Sequence, residues 1–255
     1  MLATQTYGDD TSAPPVLIVH GLFGSGRNWG VIAKRLSDTR RVVTVDMRNH
    51  GASFWDDDNS YAALAGDLAL VIDHIGGPMD VLGHSMGGKA AMVLALTRPD
   101  SLRRLVVGDI APVGYTHSQI QFITAMRGVD LSVVTRRSDA NEQLARLGVD
   151  GALTSFLTQS LDVSERRWRL NLDALADNMT DILDFPKLTA RHDGSTLFLS
   201  GAASDYVDRK YRPTIKMFFA KARFAKIPGA GHWLHADNPR AFVGTVRAYL
   251  DAPGG

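Results

Sequence analysis

The chain has 255 residues, of which 45% are hydrophobic and 22% are charged, and its formal net charge is +1 at pH 7. This composition is typical of a soluble globular protein with a large core, and it offers no electrostatic footprint for nucleic acid or for an anionic membrane. Because there is no cysteine, disulfides, thiolate metal sites and cysteine nucleophiles are excluded. The first ten residues show no signal-peptide pattern and no later run is long enough to span a bilayer, so we expect a cytoplasmic protein.

Strands and helices alternate through the first part of the chain. Helices are predicted over residues 30–36, 61–75 and 86–97. Short apolar runs, several of them continuous, predict strands over residues 2–7, 16–20, 41–46, 79–82 and 102–108. This alternation predicts an α/β protein with a mostly parallel central sheet flanked by helices.

The alternation stops between residues 113 and 191. That span predicts amphipathic helices alone, over residues 118–127, 139–147, 151–161 and 165–183. Strands at 195–200 and 224–227 then return, with helices at 210–220 and 238–250. We therefore expect a core formed by residues 1–112 and 192–255, with an all-helical cap, or lid, inserted at residues 113–191.

A candidate nucleophile lies in the sequence Gly-His-Ser-Met-Gly at residues 83–87, between a predicted strand and a predicted helix. Gly-x-Ser-x-Gly in this context predicts a sharp turn that exposes the Ser85 hydroxyl and directs the Met86 amide at an oxyanion. The same residues also fit most of the phosphate-loop pattern G-x-x-x-x-G-K-[ST]. However, Ala90 stands where the magnesium-binding Ser or Thr is required, so we favour the nucleophile.

A serine nucleophile needs a base and an orienting carboxylate, and in this type of sheet both follow it in sequence. His232 lies in a glycine-rich turn after the last predicted strand and is the expected base. For the acid, the usual position after the 195–200 strand is held by Ser204, and Asp205 comes one residue late. Asp109, at the end of the 102–108 strand, is favoured over Asp205, which stays the alternative.

The loop after residue 20 is expected to supply a second oxyanion donor, the backbone amide of Leu22, with that of Phe23 as the next choice. His20 is expected to hold this loop in place rather than to react. No metal site is predicted. Candidates for the substrate pocket are Phe23, His84, Trp168 and Trp233.

Five segments together resemble the α/β-hydrolase superfamily: His-Gly-Leu-Phe-Gly-Ser at 20–25, Val-Asp-Met-Arg-Asn-His-Gly at 45–51, Gly-His-Ser-Met-Gly-Gly-Lys at 83–89, Asp-Ile-Ala-Pro at 109–112 and Gly-Ala-Gly-His-Trp-Leu-His-Ala at 229–236. More narrowly, they resemble a branch of small bacterial carboxylesterases that has a mitochondrial animal relative. The resemblance implies the α/β-hydrolase fold, places the acid at Asp109, and implies hydrolysis of short acyl esters and some acyl-CoA thioesters without a cofactor.

The sequence thus predicts a serine hydrolase that cleaves short- to medium-chain carboxylic esters, or acyl thioesters, through an acyl-enzyme on Ser85. The expected partner is a small-molecule substrate, and the expected assembly is a monomer or homodimer. Alternatives within the fold are a cofactor-free perhydrolase, a carbon–carbon bond hydrolase and an acyltransferase. An alternative of another class is a non-catalytic protein that binds a hydrophobic ligand. The candidate triad of Ser85, His232 and an acid argues against that last reading.

Overall fold

A seven-stranded sheet forms the centre of the computed structural model, which describes residues 1–253. The predicted core segment 192–255 therefore ends in two glycines, Gly254 and Gly255, that lie outside the described residues. The order is β1-β3-β2-β4-β5-β8-β9, and every neighbouring pair is parallel except β1 with β3. The strands are β1 Thr4–Tyr7, β2 Val16–Val19, β3 Val42–Val45, β4 Met79–His84, β5 Leu102–Gly108, β8 Ser195–Gly201 and β9 Ala222–Ile227, and the remaining two, β6 Leu161–Asp162 and β7 Arg167–Trp168, form a separate hairpin.

Helices cover both faces of this sheet. Every residue of β2, β3 and β4 is buried, as expected for parallel strands that lie between two helical layers. The helices are α1 Gly30–Leu36, α2 Tyr61–Ile75, α3 Met86–Thr97, α4 Ile120–Arg127, α5 Arg137–Arg146, α6 Gly151–Leu157, α7 Leu172–Asp177, α8 Met179–Leu183, α9 Arg212–Phe218, α10 Leu234–Asp237 and α11 Pro239–Asp251.

Strand alternation divides the core into two hydrophobic clusters. Leu17 and Val19 of β2 belong to the cluster that includes α2 and α3. Val16 and Ile18 of the same strand point to the other face and join the cluster that includes α1 and α11. The predicted strand–helix alternation and its mostly parallel sheet are therefore confirmed.

Helix α2 begins and ends at the residues predicted from the sequence, and its two ends explain why. The Ser60 hydroxyl accepts a hydrogen bond from the Ala63 amide at 3.3 Å and so satisfies one of the free N–H groups of the first turn. At the other end Gly76 has φ of 96°, a left-handed conformation that terminates the helix at low cost.

The inserted segment differs from the expectation that it is all-helical. The helix predicted over residues 165–183 is wrong, because its first residues form the turn and the second strand, β7, of the hairpin with β6. The Asp162 carboxylate accepts hydrogen bonds from the Ser164 hydroxyl and the Glu165 amide, which stabilises the turn between the two strands. Helix begins only after Asn171, whose side chain caps α7, and it is interrupted again at Asn178 before α8.

The carboxyl ends of the parallel strands meet at one edge of the sheet. The loops that follow β2, β4, β5, β8 and β9 carry Leu22, Ser85, Asp109, Ser204 and His232, in that order. This edge is where α/β folds assemble binding sites. Within residues 1–253, no helix combines the length and the hydrophobicity needed to cross a membrane.

Candidate active site

Ser85 occupies the turn between β4 and α3 with φ of 53° and ψ of −121°, angles that a residue with a side chain rarely adopts. Its amide donates to the Gly108 carbonyl at 3.0 Å, which joins the turn to the neighbouring strand. A Cβ atom at position 83 would lie 2.4 Å from the Gly87 carbonyl oxygen, and one at position 87 would lie 2.3 Å from that of His20. The two glycines of the motif are thus sterically required for the turn that presents Ser85.

Three side chains from three different loops form a continuous line of contacts. His232 Nε2 lies 3.2 Å from Ser85 Oγ, and His232 Nδ1 lies 2.8 Å from Asp109 Oδ2. Asp109 is fully buried, and its carboxylate also accepts hydrogen bonds from the Gly201 amide at 3.1 Å and the Ser204 hydroxyl at 2.5 Å. The imidazole therefore lies between a hydroxyl that can donate a proton and a carboxylate that can orient it.

Asp205, the alternative acid, is exposed, and no hydrogen bond joins it to His232 among the described residues. The side chain before it makes the contact that the sequence analysis missed. Ser204, which holds the position where an acid was first sought, donates its hydroxyl to Asp109. The sequence carries no local signal for this contact, because the two residues are 95 positions apart.

The loop after β2 is held by two buried histidines. His20 Nδ1 donates to the Gly21 carbonyl at 2.8 Å, and its Nε2 accepts from the Met47 amide at 2.9 Å. His50 Nδ1 donates to the Arg48 carbonyl, and its Nε2 accepts from the Phe23 amide at 3.2 Å. Each ring is thus used once as donor and once as acceptor, which requires the neutral tautomer.

These contacts distinguish between the two candidate oxyanion donors in this loop. The Phe23 amide is already engaged by His50, whereas the Leu22 amide has no acceptor within residues 1–253. Position 21 lies against Ser85, because a Cβ atom there would come within 3.0 Å of Ser85 Cβ. Met86 begins α3, so its amide is one of the free N–H groups of a helix start. The amides of Leu22 and Met86, the two predicted oxyanion donors, are therefore both free, among the described residues, to bind an acceptor.

Burial keeps the histidines around the site uncharged. It lowers the pKa of His20 to about 4, and it lowers that of His235 to about 3. Burial likewise places the pKa of His84 well below its ordinary value, and neighbouring His232 and His235 add to this effect. His84 uses its Nε2–H to donate to the His232 backbone carbonyl at 2.8 Å, so it fixes the loop that carries the candidate base.

A cavity of about 250 Å³ opens beside Ser85 and is lined mainly by apolar side chains. Of the predicted pocket residues, Phe23, His84 and Trp233 line it, but Trp168 does not. Trp168 instead packs inside the inserted segment, 7% exposed, and its Nε1–H donates to the Met126 carbonyl. Its assignment to the pocket is wrong, because an apolar pattern cannot tell a residue that faces a cavity from one that faces the core.

Lys89, the last residue of the phosphate-loop pattern, also borders this cavity, but its ammonium group is directed elsewhere. Nζ donates to the carbonyls of Leu183 and Asp184, both at 2.7 Å. Burial lowers the pKa of Lys89 to about 7. The lysine therefore joins α3 to the carboxyl end of α8 in the inserted segment, and this contact does not match a phosphate cradle.

Comparison with known proteins places this geometry in a family. A model described as the alpha/beta hydrolase family matches residues 16–245. The chain belongs to the alpha/beta hydrolase family. The mouse protein named sn-1-specific diacylglycerol lipase ABHD11 is 42% identical to it over 252 residues, covering 94% of this chain and 82% of the mouse protein. The predicted fold class and superfamily are thus confirmed.

A bacterial relative and a solved structure agree with that assignment. Esterase YbfF of Escherichia coli is 37% identical over 257 residues, covering 98% of both chains. The solved structure titled "Marine microorganism esterase" superposes with a TM-score of 0.91 at 36% identity, covering 97% of this chain and 98% of the other. The predicted resemblance to a branch of bacterial esterases with an animal relative is therefore also confirmed.

Proposed function

We propose that this member of the alpha/beta hydrolase family is a serine carboxylesterase that cleaves short- to medium-chain acyl esters through an acyl-enzyme on Ser85. The observation that carries the proposal is the line of contacts from Asp109 through His232 to Ser85, at the edge of an apolar cavity. The names of the relatives, an esterase and a diacylglycerol lipase, support ester cleavage. The assembly, a monomer or homodimer, stays a prediction.

In the proposed mechanism, His232 Nε2 accepts the Ser85 hydroxyl proton as Oγ attacks the acyl carbonyl carbon. The carbonyl oxygen becomes an oxyanion, which the amides of Leu22 and Met86 stabilise by hydrogen bonds. His232 then donates its proton to the leaving alcohol, and later it activates the water that hydrolyses the acyl-enzyme. Asp109 holds the imidazole by Nδ1 and stabilises its cation in both steps.

The size and lining of the cavity support the proposed acyl-chain length. Its volume of about 250 Å³ is below the usual range of sites for drug-sized ligands, which begins near 300 Å³. The inserted segment, for which we propose a cap role over residues 113–191, contributes apolar walls: Phe122, Leu153, Phe156 and Ile182. A short acyl chain would be shielded from water by these side chains.

The proposal is tested by hydrolysis of p-nitrophenyl acetate, butyrate, octanoate and palmitate by the wild type and by Ser85→Ala. We expect turnover that is highest on the shorter esters and that vanishes in the variant. A circular dichroism spectrum of the variant matching the wild type would show that the loss is chemical. Turnover that survives in Ser85→Ala would contradict the mechanism, and no turnover on any ester would favour a ligand-binding protein.

The thioester alternative is tested with the same two proteins. Acetyl and butyryl thioesters of a simple thiol place the same acyl groups on a sulfur leaving group. Comparable turnover on matched esters and thioesters would extend the proposed substrate class to thioesters. A strong preference for the oxygen ester would restrict it to carboxylic esters.

A further inference from the structure

One aromatic ring lies face to face with the imidazole of His232. The Tyr206 ring stacks on it with 4.1 Å between centroids and 21° between planes. The other rings near His232 in the described chain are more distant and more inclined: His84 at 4.8 Å and 42°, and Trp233 at 6.3 Å and 59°. The sequence analysis did not single out Tyr206, because its partner lies in the loop after a different strand.

Tyr206 is held in place by two hydrogen bonds of its backbone and one of its side-chain hydroxyl. Its amide donates to Ser204 Oγ at 3.3 Å, and its carbonyl accepts from the Tyr115 hydroxyl at 2.7 Å. Its own hydroxyl is hydrogen-bonded to His117 Nε2 at 2.6 Å. Two of these partners, Tyr115 and His117, belong to the inserted segment. The ring is therefore fixed from both the core and the insertion.

Few charges face the imidazole. The titratable groups around it are Asp109 on Nδ1, the rings of His84 and His235, and Tyr206. Burial lowers the pKa of both histidines, so they are neutral at pH 7, and burial raises the pKa of Tyr206 to about 12, so its hydroxyl keeps its proton. Only Asp109 can then contribute a negative charge, and the π face of Tyr206 is the second group that favours a cation.

We propose that Tyr206 is a positioning residue for His232: its ring face fixes the plane of the imidazole and favours the imidazolium that forms when Ser85 is deprotonated. The proposal rests on the function proposed above, because it needs His232 to act as the base. Its physical basis is the attraction between a cation and the electron-rich face of an aromatic ring. The hydroxyl of Tyr206 serves to hold the ring and takes no part in the attraction.

The test compares Tyr206→Phe, which keeps the ring, with Tyr206→Leu, which keeps an apolar side chain without a π face. We expect Tyr206→Leu to lower kcat about 3- to 10-fold with little change in KM, and Tyr206→Phe to stay within about twofold of the wild type. Because the base must be neutral, activity is lost as the pH falls through its titration. Without the ring the cation is less favoured, so the acid limb of kcat/KM should move to lower pH by about half a unit to one unit.

Tyr211→Leu is the matched control, since Tyr211 is a half-buried tyrosine whose ring contacts that of Tyr115 edge to face, with 6.1 Å between centroids, and does not stack on His232. It should leave the acid limb where it is in the wild type. An unchanged kcat and acid limb in Tyr206→Leu would overturn the proposal. So would a Tyr206→Phe variant as impaired as Tyr206→Leu, because that result would assign the effect to the hydroxyl bond with His117.

A titration that needs no turnover separates failure of this inference from failure of the proposed function. The His232 imidazole signal is followed by NMR against pH in the wild type, Tyr206→Phe and Tyr206→Leu. We expect its midpoint at lower pH in Tyr206→Leu alone, even if no ester is hydrolysed. Coincident midpoints in all three proteins would overturn the role of the ring, whether or not the protein proves to be an esterase.

Discussion

Strands β4 and β5 carry buried polar side chains at both of their ends, and the two ends differ in charge. At the amino end, the fully buried Asp80 lies 2.5 Å from an Arg103 nitrogen and 3.6 Å from one of Arg40. The neighbouring Arg104 donates to the carbonyls of Tyr249 and Ala252 at the end of the chain's last helix. This end is built from full charges that compensate one another.

At the carboxyl end of the sheet, the buried histidines around the candidate site are neutral. His20, His50 and His84 are buried there, and burial lowers the pKa of each. Their hydrogen bonds go to backbone groups, so they fix loops without adding charge. Asp109 is fully buried and contacts His232 Nδ1.

The difference follows from what each end has to do. In a medium of low dielectric, a nearby cation would compete with His232 for the charge of Asp109 and would oppose an imidazolium. The arginines of the amino end join α11 to the sheet, whereas the imidazoles packed around His232, where we propose that a proton moves, are neutral. We expect substitutions at the carboxyl end to change activity and substitutions at the amino end to change stability.

The largest effect should come from the carboxyl end. Asp109→Asn keeps the shape of the side chain but removes the charge that orients His232, so we expect kcat to fall by about ten-thousand-fold, as in other triads. The measurement is kcat on p-nitrophenyl butyrate. Asp205→Asn is the matched control and should be indistinguishable from the wild type. The reverse pattern would move the acid to Asp205.

At the amino end, Asp80→Ala should cost stability and leave the chemistry intact. It leaves buried guanidinium groups without a carboxylate, for which we expect a decrease in the free energy of unfolding of about 3–5 kcal/mol. Urea denaturation measures it, and kcat per folded molecule should stay unchanged at low temperature. Asp73→Asn is the control, because its ion pair with Arg98 is half exposed. A loss of kcat per folded molecule in Asp80→Ala would instead show that the two ends of the sheet are coupled.

Buried neutral histidines should make the carboxyl end sensitive to acid. Burial lowers the pKa of His50 to about 3, below its ordinary value of 6.5, so the unfolded chain binds the proton first as the pH falls. The folded state thus loses stability from about pH 6.5 downwards, by about 1.4 kcal/mol per pH unit for each such histidine. Between pH 7 and pH 5.5, the free energy of unfolding measured by urea denaturation should therefore fall by about 1 kcal/mol less in His50→Gln than in the wild type.

The exposed His74 on α2 provides the control for that comparison. His74→Gln should follow the wild-type dependence of stability on pH. If His50→Gln did the same, the folded protein would have to accept a proton on His50, and the neutral character of this end would be disproved.

The features that could be predicted from the sequence are those fixed by local sterics and caps. The spacing of Gly83, Ser85 and Gly87 specifies a strand-to-helix turn, and Ser60 with Gly76 bounds α2, because each signal acts within a few residues. The sheet followed from apolar runs in the same way. These predictions needed no knowledge of distant parts of the chain.

The features that could not be predicted depend on contacts between distant segments. Ser204 meets Asp109 across 95 residues of sequence, and nothing near either residue indicates the other. Trp168 fits an amphipathic helix by its spacing, yet the turn contacts of Asp162 place it in a hairpin. Periodicity describes how residues face along one element, and it does not state which element lies opposite.

The smallest expected effect lies within the amino-end cluster and tests why that cluster is stable. Asp251 also pairs with Arg40, but its side chain is 48% exposed, whereas that of Asp80 is fully buried. In Asp251→Asn, water can replace the lost carboxylate and Arg40 keeps Asp80, so we expect a change of less than about 1 kcal/mol in urea denaturation. A loss equal to that of Asp80→Ala would mean that Arg40 depends on both acids, and burial alone would then fail to explain which charges at this end are essential.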